Sequence, residues 1–122
     1  MFGCQITGMA YPYGTYNDEV VQILKKCKIQ YARSVVSSGA FKLQKNLLIF
    51  KPTCHHADEN IWELLEKFLK EKSEEKQLFY IWGHSYEFDV NNNWKRMEEI
   101  LDRLIGHNNI FYGTNREVLL PC

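Results

Sequence analysis

Apolar residues in this chain fall in short bursts of two kinds, and the kinds alternate. "GCQITGMAY" (3–11) reads as a strand, punctuated at its end by Pro12 and Gly14. A helix opening at Asn17 or Asp18 follows, with Val20, Ile23, Leu24 and Cys27 at helical spacing. "IQYARSVV" (29–36) is strand-like, "SSGAFKLQKN" (37–46) a loop, and "LLIFKPTC" (47–54) a third strand stopped by Pro52. Asp58 is able to cap the next helix, which carries Ile61, Leu64, Leu65, Phe68 and Leu69 on one stripe. After the solvated "EKSEEKQ", the run "LFYIW" (78–82) is apolar at every position, as in a strand covered on both faces. Asn91, Asn92 and Asn93 are able to cap a last helix whose inner stripe is Trp94, Met97, Leu101 and Leu104. On that helix Glu99 and Arg103 form an i,i+4 pair, and Gly106 suits the position just past its end. "IFYGTN" (110–115) reads as a fifth strand and "REVLLPC" as a tail.

Strands alternating with helices of ten to fifteen residues, with no tight turn joining two strands, predict parallel βα units and an α/β fold. At 122 residues the chain is expected to form one domain, 1–122. Fifteen basic residues balance fifteen acidic ones, which removes the field that nucleic acid or an anionic membrane would need. The apolar runs are too short to span a bilayer, and the first residues carry no basic and apolar leader pattern. Cys4, Cys27, Cys54 and Cys122 are scattered, so reduced thiols and a cytoplasmic location are expected.

The polar residues then take on a pattern. Tyr13 and Gly14 follow the first strand, Cys54, His55 and His56 the third, His84 the fourth, and Thr114 and Asn115 the last. In parallel α/β folds the C-terminal strand ends carry the ligand site, because neighbouring loops converge there. Gly83 lets the backbone turn and bring His84 to that edge. Each cluster also has a plainer reading. "YPYG" is an ordinary turn sequence, "CHHAD" a helix cap with two solvated histidines, and His107 a surface residue near a helix end. Adjacent histidines on an extended segment point to opposite faces, so His55 and His56 are not expected to share an ion. A small zinc site using Cys54 and His56 lacks a third ligand nearby in sequence.

Three segments, "GMAYPYGTYNDEVVQILKKCKIQYARSV", "PTCHHADENIWELLEKFL" and "LFYIWGHSYEFDVNNNWKRMEEIL", resemble the polysaccharide deacetylase (NodB homology) domain, in order and over nearly the whole chain. The resemblance implies a partial (β/α)-barrel and hydrolysis of N-acetyl groups from carbohydrate, a carbon–nitrogen bond that is not a peptide. In that family a divalent metal, often zinc, polarises the acetamide and activates water, an aspartate is the base, and a late histidine protonates the departing amine. By position, His84 in "WGHS" corresponds to that general acid, and the backbone N–H of Tyr13 in "YPYG" to part of the oxyanion hole. Tyr11, His55, His56, Trp82 and Tyr86 would line the sugar site.

The family's Asp-Asp and H-S/T-x-x-H motifs do not occur in this sequence, and Ala10 stands where many members have arginine, with Arg33 as a spatial substitute. The chain is thus expected to correspond to the C-terminal half of the domain. No metal is assigned to its own residues; a divalent ion is expected only with the N-terminal half. Five strands leave open sheet edges, so self-association or a complementary half-domain is expected. As an isolated chain it is expected to be inactive, and the alternative is a non-catalytic carbohydrate-binding or scaffolding remnant.

Overall fold

The computed structural model describes residues 2–120, so Cys122 and the tail Pro121–Cys122 lie outside the described residues. Two compact units divide the chain. One holds the described residues of Met1–Val36, Gln44–Lys51 and Phe111–Cys122, the other those of Ser37–Leu43 and Pro52–Ile110.

In the first unit β1 (Gly8–Ala10) and β2 (Tyr31–Arg33) pair in parallel, with Met9 opposite Ala32. The crossover between them is α1 (Asp18–Lys26). Asn17 caps it, its side-chain oxygen accepting the Val20 N–H at 2.8 Å. Val21 and Leu24 of α1 are buried against Tyr11, Ala32 and Leu48. Ile23 and Cys27, expected on the inner stripe, are exposed, because the buried face is centred one position earlier at Val20, Val21 and Leu24. The run 47–54 is not one strand. Leu47–Ile49 make a 3-10 turn, Phe50 forms a lone parallel bridge to Arg33, and the strand proper begins beyond Pro52. Proline breaks the ladder rather than ending the chain's extended course.

The second unit repeats the plan. Strands β3 (Cys54–His55) and β4 (Ile81–Trp82) are parallel, with Cys54 opposite Ile81 and His55 opposite Trp82. Between them runs α2 (Ile61–Lys70), and α3 (Tyr86–Val90) and α4 (Trp94–Leu104) follow β4. Ile61 and Leu65 of α2, with Cys54 and Ile100, form a core that is fully removed from water. The inner face of α4 is Arg96, Met97, Ile100 and Leu104, whereas Trp94 and Leu101 are about half exposed. Rotating the stripe this way also moves Arg103, whose Nη2 meets Glu66 of α2 at 2.9 Å instead of Glu99. The loop 37–46 is less polar in place than in sequence. Phe41 is buried in an aromatic cluster with Phe68 and Phe79, at centroid distances of 5.3 and 5.7 Å.

Gly106 takes the left-handed conformation (φ +79°) just after α4, as helix termination by glycine requires. His107 folds back so that its Nε2 lies 3.0 Å from the Arg103 carbonyl. Segment 110–114 is not a strand, and α5 (Asn115–Leu119) follows it, opened by a capping box between Thr114 and Glu117. The described strands are short pairs within each unit; no helix among the described residues is long and apolar enough to cross a membrane.

Candidate functional site

The second unit gathers three histidines and a carboxylate where β3 and β4 end. Strand β3 stops at His55, and His56 already lies in the turn that follows. The strict alternation of a strand therefore does not apply to this pair. Both rings lie on the same side, 4.2 Å apart, and both reach one oxygen of Glu87. His55 Nε2 is 3.1 Å and His56 Nε2 2.8 Å from Glu87 Oε2. The expectation that the two histidines diverge is corrected by this geometry.

Glu87 reaches them from the first turn of α3. Its Oε2 also accepts the backbone N–H of His84 at 2.8 Å, folding back three residues as the glutamate of a capping box does. Three N–H donors on one oxygen favour the ionised form, so the carboxyl is held down to about 2, chiefly by the His84 backbone bond. Burial, and then the neighbouring His56, lowers the pKa of His55.

The ring orientations are fixed from both ends. His55 Nδ1 accepts the Ala57 N–H at 3.1 Å, so its proton sits on Nε2 and is donated to Glu87. Turning the ring over would replace both nitrogens by carbons and lose both bonds. His56 is buried, 2% exposed, and its Nδ1 has no hydrogen-bond partner. Its ring packs on Phe88 at 4.2 Å, and the turn that carries it is held by Arg96 of α4, which donates to the carbonyls of His56 and Asp58 at 3.0 and 2.8 Å.

Gly83 answers both to its backbone, at φ +157°, which side chains rarely adopt, and to His56. A Cβ at position 83 would lie 2.0 Å from His56 Cδ2 and 2.7 Å from Nε2, so the imidazole occupies the space a side chain would take. That close approach is what seats the ring on Glu87.

His84 is the accessible member. Its side chain is 55% exposed, and its Nδ1 stands 3.7 Å from Glu87 Oε2, an ion-pair distance rather than a hydrogen bond. Trp82 and Tyr86 flank it at centroid distances of 6.0 and 5.5 Å, with Tyr86 largely exposed. His55, His56, Trp82, His84 and Tyr86 thus all belong to the second unit and lie in one group. Tyr11 and Tyr13 belong to the first unit. Tyr13 is exposed in a left-handed conformation (φ +55°). Tyr11 is a core residue: it is buried, and its hydroxyl donates to the Leu48 carbonyl at 2.6 Å. Burial, with a smaller contribution from Tyr16, raises its pKa. Such a ring has no face for a sugar.

Glu87 is the member of this group to which residue-type reasoning gave no role. The signal available was its place three residues after His84, where a turn brings i and i+3 together. Cys54 is fully buried, burial pushes its thiol up to about 11, and the donors that the described residues bring together are His55, His56 and Glu87 rather than Cys54 and His56.

Two imidazole nitrogens and a carboxylate oxygen lying within 4.8 Å of one another fit a divalent ion in donor type and spacing. Their far nitrogens fit less well, since a ligating histidine ordinarily donates from its second ring N–H to an acceptor. Binding through Nε2 puts the proton on Nδ1. For His55 that proton would face the Ala57 N–H, and for His56 it would be buried alone. Each unsatisfied donor costs about 1–3 kcal/mol, which weakens the site without removing its three donors.

Comparison with family models, with curated proteins and with solved structures gives no match.

Proposed function

We propose that this chain is a polysaccharide deacetylase-like protein whose second unit supplies the proton donor for hydrolysis of N-acetyl groups on carbohydrate. The observation that carries the reading is the placement of His84. An exposed imidazole stands at the end of a parallel strand, between Trp82 and Tyr86 and 3.7 Å from a carboxylate that stays ionised. Aromatic rings offer a surface on which a pyranose stacks. A histidine exposed at such a place is positioned to pass a proton to a leaving amine. Here His55 and His56 are positioning residues, since their ring nitrogens are bonded or buried and only His84 meets solvent freely. A metal, when bound, polarises the acetamide carbonyl. In this reading it comes with the Asp-Asp and H-S/T-x-x-H elements of a partner half-domain, on a partial (β/α)-barrel.

A cytoplasmic setting goes with this reading and is supported by Cys4 and Cys27, which are exposed free thiols. A second reading, carbohydrate binding without turnover, is favoured by the exposure of Tyr86 beside His84. Titration of the protein with an N-acetylglucosamine oligomer, followed by amide NMR and by acetate release, separates the two. The deacetylase reading expects shifts at residues 82–87, no acetate from this chain alone, and acetate once a metal-bearing half-domain is added. Under it, His84→Asn abolishes the acetate and keeps the shifts. Shifts without acetate under every condition select the binding reading, and no shifts at all refute both.

A further inference from the structure

We infer that His55, His56 and Glu87 form a divalent metal site of the zinc type, separate from the metal expected of a partner half-domain. The inference does not depend on the deacetylase reading, because it uses only the donors this chain itself brings together. Two imidazoles and a glutamate are the protein ligands of one familiar class of open zinc site, in which remaining positions take water or substrate. The three donor atoms lie within 4.8 Å of one another, with both Nε2 atoms on the same carboxylate oxygen. Ligands at zinc-like bond lengths around a tetrahedral ion stand about 3.3 Å apart. The two nitrogen–oxygen separations, 2.8 and 3.1 Å, would open by a few tenths of an ångström, and the two imidazole nitrogens lie within 4.8 Å of each other.

The site is also held and reachable. Arg96 ties the turn of His56, Gly83 leaves room for its ring, and His55 and Glu87 are each about a quarter exposed, which gives an ion a way in. Loading moves the His55 ring proton to Nδ1 and so breaks its bond with the Ala57 N–H. Lacking acceptors behind the rings, the site binds about 10–100-fold more weakly than one with full support. It is thus an exchangeable site rather than a structural one.

The test is zinc titration of the whole protein by calorimetry, with Cys4, Cys27 and Cys122 changed to serine so that thiols do not compete. Amide NMR of Ala57 runs in parallel, and Co²⁺ absorption reports the coordination geometry. Expected are one ion per chain, a displaced Ala57 amide, and affinity at least 10-fold weaker in both Glu87→Gln and His55→Gln. These exposed-side substitutions are checked for folding by the same spectra. His84→Asn, which alters a neighbour of Glu87 rather than one of the three donors, is expected to change zinc affinity less than either donor substitution, so loss of deacetylation and loss of metal can be told apart. No uptake at roughly 0.1 mM free zinc overturns the inference. So does uptake that is indifferent to Glu87→Gln, or that leaves the Ala57 amide where it was.

Discussion

Gly83→Ala is the sharpest perturbation the site allows. A methyl at this position would sit 2.0 Å from His56 Cδ2, well inside any real carbon–carbon contact, and 2.7 Å from Nε2. His56 has nowhere to go cheaply. Phe88 packs against its ring, Arg96 holds its carbonyl, and its side chain is 3% exposed. Forcing a methylene into a packed interior costs about 1–3 kcal/mol. Pulling the imidazole from Glu87 removes a hydrogen bond to a charged acceptor, about 1.5–3 kcal/mol more. The expected loss is roughly 2.5–6 kcal/mol, a large part of a domain's stability, with the backbone penalty at φ +157° to be added as it is for Gly106. Urea unfolding followed by tryptophan fluorescence measures it. Gly106→Ala is the control, since its Cβ would meet open space at φ +79° and only the left-handed backbone is penalised, by about 1–2 kcal/mol. A Gly83→Ala protein no less stable than Gly106→Ala, with its His56 ring resonances unmoved, refutes the claim that position 83 is empty in order to seat His56.

Tyr11→Phe removes the hydroxyl that donates to the Leu48 carbonyl and leaves that acceptor buried, so a loss of about 1–3 kcal/mol is expected in urea unfolding. Its sugar titration should match the wild type, because Tyr11 is core; a weakened titration in a folded variant returns it to the binding site. Acidification should fray α5 first. Hydrogen bonds from the Thr114 backbone and hydroxyl depress the pKa of Glu117 below its ordinary 4.5. A group with a depressed folded pKa contributes stability above its unfolded pKa and loses it as pH falls through the folded one. Protection of the 117–120 amides relative to their intrinsic exchange rates should therefore fall from about pH 4.5 downward, and Glu117→Gln should remove that dependence. An unchanged profile in the variant contradicts it.

How much of this was readable from the letters depends on which interaction decided each feature. Helix α2 was legible because its apolar spacing and its burial agree at Ile61 and Leu65. The gathering of His55, His56 and His84 at strand ends followed from parallel βα order within the second unit. The inner face of α4 was not legible. Trp94 and Leu101 are as apolar as Ile100, and only packing against α2 chose among them. The convergence of His55 and His56 was hidden by where β3 ends: two residues of strand leave His56 free of the pleat. Tyr11 looked like a sugar platform because residue type does not report burial. Segment 110–114 looked like a strand because an apolar run says nothing of whether a neighbouring strand will pair with it, and Phe111 and Tyr112 remain exposed.

Arg96 has a consequence of its own. A single guanidinium on α4 grips two carbonyls, of His56 and Asp58, and its cation lies 5.6 Å from the Trp62 ring centroid of α2. The bend that presents the imidazoles is therefore latched to a helix more than thirty residues further along the chain. Neither part is free to fluctuate alone: whenever α4 lifts away, the hold on that bend goes with it. The presentation of the imidazoles at the strand ends is in this way a property of the whole second unit, held in part by one long side chain.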